Sequence, residues 1–175
     1  MRRVLILGGA RSGKSAHAEQ LLSGEPSVTY VATARRDPDD PEWEDRIRAH
    51  RARRPHSWRT DETGDLTRVL RTERGPLLVD CLTLWLAGVM DDCGVWAGAP
   101  GADVQLACRL DDVVDAWRTT AAHVVAVSNE VGFGVVPPTP TGRRFRDELG
   151  SLNARVAADA DEAWLVVAGI PCRLR

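Results

Sequence analysis

The fold is decided by one stretch of sequence, Gly8-Gly9-Ala10-Arg11-Ser12-Gly13-Lys14-Ser15. It fits the pattern G-x-x-x-x-G-K-[ST] at every fixed position. The apolar run Val4-Leu5-Ile6-Leu7 precedes it and predicts a buried strand, while residues 16–22 have the composition of a helix. This strand–loop–helix context distinguishes a phosphate-binding loop from an ordinary glycine turn.

The residues of this loop have distinct chemical tasks. Glycines allow backbone N–H groups to turn toward an anion, and a helix N-terminus adds partial positive charge. We expect Lys14 to reach the β- and γ-phosphates of a nucleoside triphosphate and the Ser15 hydroxyl to hold Mg²⁺. Lys14 is the only lysine among the 23 Lys and Arg residues. A compact ammonium fits inside such a loop, whereas a planar guanidinium is too wide.

Length and composition limit the class of protein. The 175 residues, of which 43% are hydrophobic, predict a single nucleotide-binding domain over residues 1–175. The net charge of −2 gives no general attraction to nucleic acid or membrane. With no long apolar run and no signal-peptide pattern, we expect no membrane span and a cytoplasmic protein. The four cysteines form no C-x-x-C pair, so we expect them to be reduced and mostly buried.

Polar residues follow two further predicted strands. Residues 27–32 predict a strand that runs into Thr33-Ala34-Arg35-Arg36, and residues 77–80 predict a strand that ends in the carboxylate of Asp80. Ligands bind at the carboxyl ends of parallel strands, although the stretch after residue 32 is equally compatible with an ordinary strand-to-helix turn. Phosphate-loop enzymes keep a Mg²⁺-engaging acid at the position of Asp80.

A charged segment lies between these two strands. Acidic residues and prolines at 37–42 predict the start of a helix that runs to about residue 53. Six arginines and two histidines, His50 and His56, fall between residues 46 and 59. They repel one another unless an anion or the preceding acids neutralise them. A bound anion and a solvated charged face both remain open.

The remaining pattern alternates strands and helices. A short extended piece is predicted at 57–60, helices at 66–70 and from 82, and a loop at 91–102. Asp103 is the expected N-cap of a helix that reaches about residue 121. Strands at 123–128 and 163–167, a helix at 142–158 and a last short strand at 172–174 complete the pattern. This predicts an α/β fold with a mainly parallel sheet and helices on both faces. Right-handed crossovers then place Gly8, Thr33, Asp80 and Asn129 at one edge.

Taken together, the motifs resemble the bifunctional adenosylcobinamide kinase / adenosylcobinamide-phosphate guanylyltransferase family of cobalamin biosynthesis. The resemblance spans nearly the whole chain in one order and is weakest in the loop at 91–102. The matching pieces are Gly8-Gly9-Ala10-Arg11-Ser12-Gly13-Lys14-Ser15, Tyr30-Val31-Ala32-Thr33, Arg46-Ile47-x-x-His50-x-x-x-Arg54-Pro55, Trp58-Arg59-Thr60-x-Glu62, Asp80-Cys81-Leu82-Thr83, Asn129-Glu130-Val131-Gly132-x-Gly134-Val135-Val136-Pro137, Phe145-Arg146-Asp147-x-x-Gly150-x-x-Asn153 and residues 160–171.

The resemblance implies a RecA-like P-loop NTPase fold, a homotrimer, and Mg²⁺ with GTP and ATP as substrates. It implies two reactions: phosphorylation of adenosylcobinamide, then transfer of GMP from GTP to adenosylcobinamide phosphate through a histidine, which is His50 here. Lys14 and Asp80 join His50 as implied catalytic residues, and Ser15 and Asp80 as implied metal ligands. The implied nucleotide contacts are Gly8, Gly9, Ala10, Arg11, Ser12, Gly13, Lys14, Ser15, Thr33, Ala34, Arg35, Arg51, Ala52, Arg53, Arg54, Glu62 and Asp80.

Elementary chemistry agrees with this reading. A neutral imidazole is a good nucleophile toward the α-phosphorus, and arginines match the charge that develops on phosphate oxygens. Two alternatives remain: a small-molecule kinase with a structural His50, and a RecA-like nucleic-acid-binding NTPase module that uses the arginines as its footprint. The negative net charge argues against the second, because nucleic-acid binders usually carry a dedicated basic surface.

Overall fold

A computed structural model describes residues 1–35, 48 and 54–175 of the chain. In these residues a seven-stranded sheet forms the centre of the fold, with the strand order β3-β2-β4-β5-β1-β6-β7. The strands are β1 (Arg3–Gly8), β2 (Thr29–Ala32), β3 (Arg59–Glu62), β4 (Leu77–Asp80), β5 (Val124–Asn129), β6 (Glu162–Val167) and β7 (Ile170–Arg173).

Five helices connect these strands in the described part of the chain. They are α1 (Lys14–Leu21), α2 (Leu66–Thr72), α3 (Leu82–Asp92), α4 (Ala102–Thr119) and α5 (Pro140–Ala158). None of the helices that the structure describes is long and apolar enough to cross a membrane.

The sheet is parallel except at one edge. Every neighbouring pair from β3 to β6 is parallel, and only β7 pairs antiparallel, with β6. A tight turn at Ala168 and Gly169, both with positive φ, makes this last hairpin possible. The predicted final strand is therefore confirmed, although it begins earlier than expected.

The two faces of the sheet carry separate cores. Leu5, Val79 and Ala126 lie in a large cluster with the apolar sides of α2, α3, α4 and α5. Their neighbours along the strands, Ile6 and Leu78, lie in a smaller cluster. This cluster also contains Ala18 of α1 and Leu22, the C-cap residue of that helix. Because successive strand residues point to opposite faces, helices cover both sides of the sheet. The predicted α/β class with a mainly parallel sheet is confirmed.

Three details depart from the sequence-based expectations. Asp103 is not an N-cap, because Gly101, with φ 80°, occupies the cap position of α4. Asp103 lies in the first turn of α4, where its negative charge interacts favourably with the helix dipole. Helix α3 extends to Asp92, into the stretch predicted as a loop. The extended piece predicted at 57–60 is the edge strand β3, shifted by two residues. The helix predicted from 42 to 53 lies outside the described residues, apart from Arg48, which is helical.

The cysteines divide into two classes. All four are free, as expected, but only Cys81 and Cys93 are buried, while Cys108 and Cys172 are exposed. The expectation that most are buried is therefore wrong for half of them. Cys81 follows Asp80 at the start of α3, and burial, followed by the charge of Asp80, raises the pKa of its thiol to about 11.

This difference predicts selective thiol labelling. At mildly alkaline pH we expect iodoacetamide to modify Cys108 and Cys172 in the native protein and to leave Cys81 and Cys93 unmodified, because the thiolate is the reactive form and burial blocks access. Mass spectrometry of peptides from native and urea-unfolded protein measures this, with the unfolded sample as the control for reagent activity. Rapid modification of native Cys81 would contradict the described packing at the end of β4.

Candidate functional site

The parallel register brings four strand ends to one edge of the sheet. Gly8 pairs with Asn129, and Ala32 pairs with Asp80, so the residues that end β1, β5, β2 and β4 lie side by side. Thr33 follows directly after β2. The predicted meeting of Gly8, Thr33, Asp80 and Asn129 at one edge is confirmed.

The phosphate loop between β1 and α1 is fixed by its own backbone. The Ser12 N–H donates to Gly9 O at 3.3 Å, and the His17 N–H donates to Gly13 O at 3.0 Å. Gly13 has φ 95°, a conformation that glycine adopts without strain, and it caps α1. The N-terminus of α1 therefore faces the loop, an arrangement that favours an anion.

Neighbouring strands hold the loop from both sides. The Glu130 N–H donates to Gly8 O at 3.1 Å, and the Gly169 N–H from the β6–β7 turn donates to Ser12 O at 2.8 Å. In the part of the chain that the structure describes, Ser12 Oγ is buried and has no hydrogen-bond partner. A buried hydroxyl inside a phosphate loop is a donor that a bound phosphate oxygen would satisfy.

Lys14 folds back over this loop. Its Nζ donates to Gly9 O at 2.9 Å. Burial lowers the pKa of the ammonium, and the nearby Cys81 and Asp80 partly offset this effect. The sheet register places Gly8, where the phosphate loop begins, and Asp80 at the same edge, with β5 between their strands. Ser15 is the next residue on α1, and its hydroxyl and the Asp80 carboxylate are the hard oxygen donors that Mg²⁺ prefers.

Asp80 is held by a tyrosine. The hydroxyl of Tyr30 on β2 donates to Asp80 Oδ2 at 2.9 Å. Burial and the charge of Asp80 raise the pKa of Tyr30, so the hydroxyl remains protonated and is the donor. Arg54 lies on the other side of the tyrosine, with its Cζ 3.3 Å from the ring centroid. Sequence analysis assigned no role to Tyr30, although it is the single tyrosine of the chain.

Two of the predicted nucleotide contacts make internal bonds. Thr33 is buried, and its Oγ1 donates to Cys81 O at 2.7 Å and accepts from the Cys81 N–H at 3.0 Å, which clamps the residue after Asp80. Arg35 forms ion pairs with Asp91 and Asp92 and donates to Gly88 O at 3.2 Å. These partners lie in the second half of the 11-residue helix α3, between roughly 9 Å and 15 Å along its axis from its start beside Asp80.

The other predicted residues divide into two groups. Glu62 ends β3, and Ala32 separates it from Asp80 in the sheet, so their backbones are about 10 Å apart. The structure therefore brings the loop Gly8–Ser15, Thr33, Arg54 and Asp80 together and places Glu62 one strand further away. His50, Arg51, Ala52 and Arg53 lie outside the described residues.

The end of β5 is a part of the site that sequence analysis left without a role. Asn129 N–H donates to Thr83 Oγ1 at 2.8 Å, and Asn153 Nδ2 of α5 donates to Asn129 O at 3.0 Å. These bonds fix the strand that lies between the phosphate loop and Asp80. The glycine-rich sequence after residue 129 was the available signal for a role of this strand end. That sequence does not reveal that β5 lies between β1 and β4.

Comparison with known proteins gives one consistent result. The family model described as cobinamide kinase / cobinamide phosphate guanyltransferase matches residues 4–174. Three bacterial relatives are each named a bifunctional adenosylcobalamin biosynthesis protein. The relative from Escherichia coli K12 is 36% identical over 181 residues, which covers 98% of this chain and 99% of the relative. The relative from Salmonella typhimurium LT2 is 38% identical over 182 residues, with coverages of 98% and 99%. The relative from Pseudomonas aeruginosa PAO1 is 40% identical over 180 residues, with coverages of 99% and 97%.

The loop offers a matched pair of glycine substitutions. A Cβ at Gly8 would lie 2.5 Å from Ser12 Oγ and 2.7 Å from the backbone oxygen of Val166, whereas a Cβ at Gly9 meets nothing within 4 Å. We expect Gly8→Ala to lower the free energy of unfolding by about 1–3 kcal/mol, the usual range for overpacking. Gly9→Ala should remain near wild type. Urea unfolding of both variants without nucleotide measures the difference, and equal stabilities would refute the described packing.

Proposed function

Because the chain belongs to the cobinamide kinase / cobinamide phosphate guanyltransferase family, we propose that it catalyses both reactions of that family. It phosphorylates the hydroxyl of adenosylcobinamide with a nucleoside triphosphate. It then transfers GMP from GTP to adenosylcobinamide phosphate, which gives adenosylcobinamide-GDP and pyrophosphate. The observation that carries this proposal is a family match over residues 4–174 on a chain whose phosphate loop begins at the same sheet edge as the carboxylate of Asp80.

The finer architecture is part of the same proposal. Strand β5 lies between β1, which carries the phosphate loop, and β4, which carries Asp80. An inserted strand between these two is what a RecA-like P-loop fold requires. We assign residues 1–175 to a single nucleotide-binding domain that acts in the cytoplasm as a homotrimer.

The kinase step uses the residues around the loop. Lys14 leaves Gly9 O and contacts the β- and γ-phosphates, while the backbone N–H groups and the Ser12 hydroxyl surround the phosphate oxygens. Ser15 and Asp80 would hold Mg²⁺, which would neutralise charge on the phosphate oxygens during transfer of the γ-phosphoryl group. The γ-phosphorus bonds to the substrate oxygen, the bond to the bridging oxygen breaks, the hydroxyl proton passes to solvent, and the nucleoside diphosphate leaves.

The guanylyl transfer step requires a nucleophile. A ring nitrogen of His50 attacks the α-phosphorus of GTP, and the α–β bridging P–O bond breaks to release pyrophosphate. A phosphate oxygen of adenosylcobinamide phosphate then attacks the same phosphorus, and the P–N bond breaks to restore the imidazole. The arginines at 51, 53 and 54 follow His50 in sequence and supply bidentate contacts to the phosphate oxygens.

Lys14→Ala should abolish both activities, because both begin from a triphosphate held in one loop. Losing this charge at the phosphates removes several kcal/mol of transition-state stabilisation, which corresponds to a rate loss of at least about 10³-fold. Lys14→Arg is the matched variant: it keeps the charge but is too wide for the loop, so it should also be inactive. Steady-state assays of each reaction with purified protein measure this. Near wild-type turnover in Lys14→Ala would overturn the assignment of the loop.

His50→Asn should stop guanylyl transfer and leave the kinase reaction active, because γ-phosphoryl transfer needs no covalent histidine. Mass spectrometry after incubation with GTP and Mg²⁺ should show an added GMP on the wild type and none on the variant. The adduct should be acid-labile and stable in base, as a phosphoramidate is.

The control for this experiment is His56→Asn. His56 is an exposed residue just beyond Pro55, and its replacement should leave the adduct in place. A GMP adduct on His50→Asn, or one that maps to His17, His56, His123 or Lys14, would contradict the mechanism. No adduct on the wild type would favour a kinase that uses only γ-phosphoryl transfer.

A further inference from the structure

Tyr30 occupies a junction between two parts of the proposed active site. It is 5% exposed, lies on β2, and packs in the core cluster that includes Ile6 and Leu78. Core packing alone would be satisfied by phenylalanine. The hydroxyl, however, is a buried polar group, and its partner in the structure is the carboxylate that we assign to Mg²⁺.

The two contacts of Tyr30 use different parts of the side chain. The hydroxyl at the edge of the ring donates to Asp80 Oδ2 at 2.9 Å, and the face of the ring receives the Arg54 guanidinium, with Cζ 3.3 Å from the centroid. The Arg54 Nε atom is buried and has no hydrogen-bond partner in the described part of the chain. The ring is therefore a specific contact for this guanidinium, and an aromatic face attracts such a cation.

The hydrogen bond constrains Asp80. A carboxylate has two oxygens that exchange places when the group rotates about its bond to Cβ. The hydrogen bond from Tyr30 to Oδ2 favours one orientation of the carboxylate and therefore one position of Oδ1. A fixed oxygen is what a metal with strict octahedral geometry requires.

The stacking contact constrains the end of the arginine-rich segment. Arg54 is the fourth residue after His50 and is followed by Pro55. Docking the guanidinium on Tyr30 of β2 places Arg54 beside β4, which ends in Asp80, and two strands, β4 and β5, separate β2 from β1 and the phosphate loop. The same side chain thus sets the position of a metal carboxylate and of a cation.

We propose that Tyr30 is a positioning residue that orients Asp80 for Mg²⁺ through its hydroxyl and docks Arg54 at the nucleotide site through its ring. This inference rests on the proposed function, since it takes Asp80 as the metal carboxylate and Arg54 as a nucleotide contact. It adds a residue to which neither the family match nor the sequence motifs assign a role.

Tyr30→Phe tests the hydroxyl, because it removes one oxygen and keeps the ring. We expect kcat of the kinase reaction to fall about tenfold, in line with the loss of a hydrogen bond to a charged group. The dissociation constant of Mg²⁺ from the complex with a non-hydrolysable triphosphate, measured by isothermal titration calorimetry, should rise several-fold, and the Mg²⁺ concentration for half-maximal activity should rise with it. KM for the nucleotide at saturating Mg²⁺ should stay within about twofold because the Arg54 contact remains. An unchanged kcat and an unchanged Mg²⁺ requirement would overturn the orienting role.

A double-mutant cycle tests the ring. Arg54→Met keeps the length of the side chain and loses its charge, and we expect it to raise the nucleotide KM about tenfold in the wild type and in Tyr30→Phe. In Tyr30→Leu, where the ring is absent, Arg54→Met should add less than about twofold. Equal effects in all three backgrounds would overturn the docking role. Tyr30→Met replaces Tyr30→Leu in the cycle if circular dichroism shows that the latter is unfolded.

Two controls separate the possible failures. Thr120→Val removes another buried hydroxyl, which donates to Leu70 O at 2.8 Å away from the loop, and it should lower stability without changing the Mg²⁺ requirement. Asp80→Asn should lower kcat and weaken Mg²⁺ activation. If Asp80→Asn leaves Mg²⁺ activation unchanged, the metal assignment itself is wrong and the inference falls with it. If Asp80→Asn is impaired and Tyr30→Phe is not, only the orienting role of Tyr30 is wrong.

Discussion

The site depends on a backbone contact that leaves no space for side chains. The phosphate loop lies against the start of the β6–β7 turn, where the Gly169 N–H donates to Ser12 O and a Cβ at Gly13 would lie 3.2 Å from the Gly169 Cα. Gly8 is equally confined by the backbone oxygen of Val166. Glycines at these positions therefore allow two segments of main chain to approach, and this approach sets the curvature that turns N–H groups toward a phosphate.

A second constraint is electrostatic. Lys14 and Asp80 are oppositely charged side chains of the site. Burial makes the charged form of Lys14 less stable than it is in water. Such a site favours an anionic ligand, which would compensate the ammonium for its lost solvation. The neutral Tyr30 hydroxyl and the Thr33 hydroxyl hold the chain around Asp80 without adding charge. The charges of Lys14 and Asp80 therefore remain available for contacts with a ligand.

Much of the fold and part of the site could be predicted from the sequence. The pattern of the phosphate loop, the apolar runs and the acid at the end of β4 specified the α/β class and the shared edge, because each depends on local chemistry and on the handedness of crossovers. The start of α4 could not be predicted, since Gly101 in a left-handed conformation took the cap position from Asp103. The role of Tyr30 was also hidden, because its contacts join residues that are distant in sequence, Asp80 among them. The ion pairs of Arg35 with α3 depend on where that helix ends, which the sequence placed too early.

The hydrogen bond between Ser12 and Gly169 has a consequence for biosynthesis of the protein. The phosphate loop is translated before Gly169, which supplies one of the groups that fix the loop. Strands β5 and β6, which flank β1 in the sheet, also come late in the sequence. A nascent chain therefore exposes the loop motif long before it has the surroundings that hold the loop closed. The described conformation of the loop is therefore completed only after translation has passed Gly169.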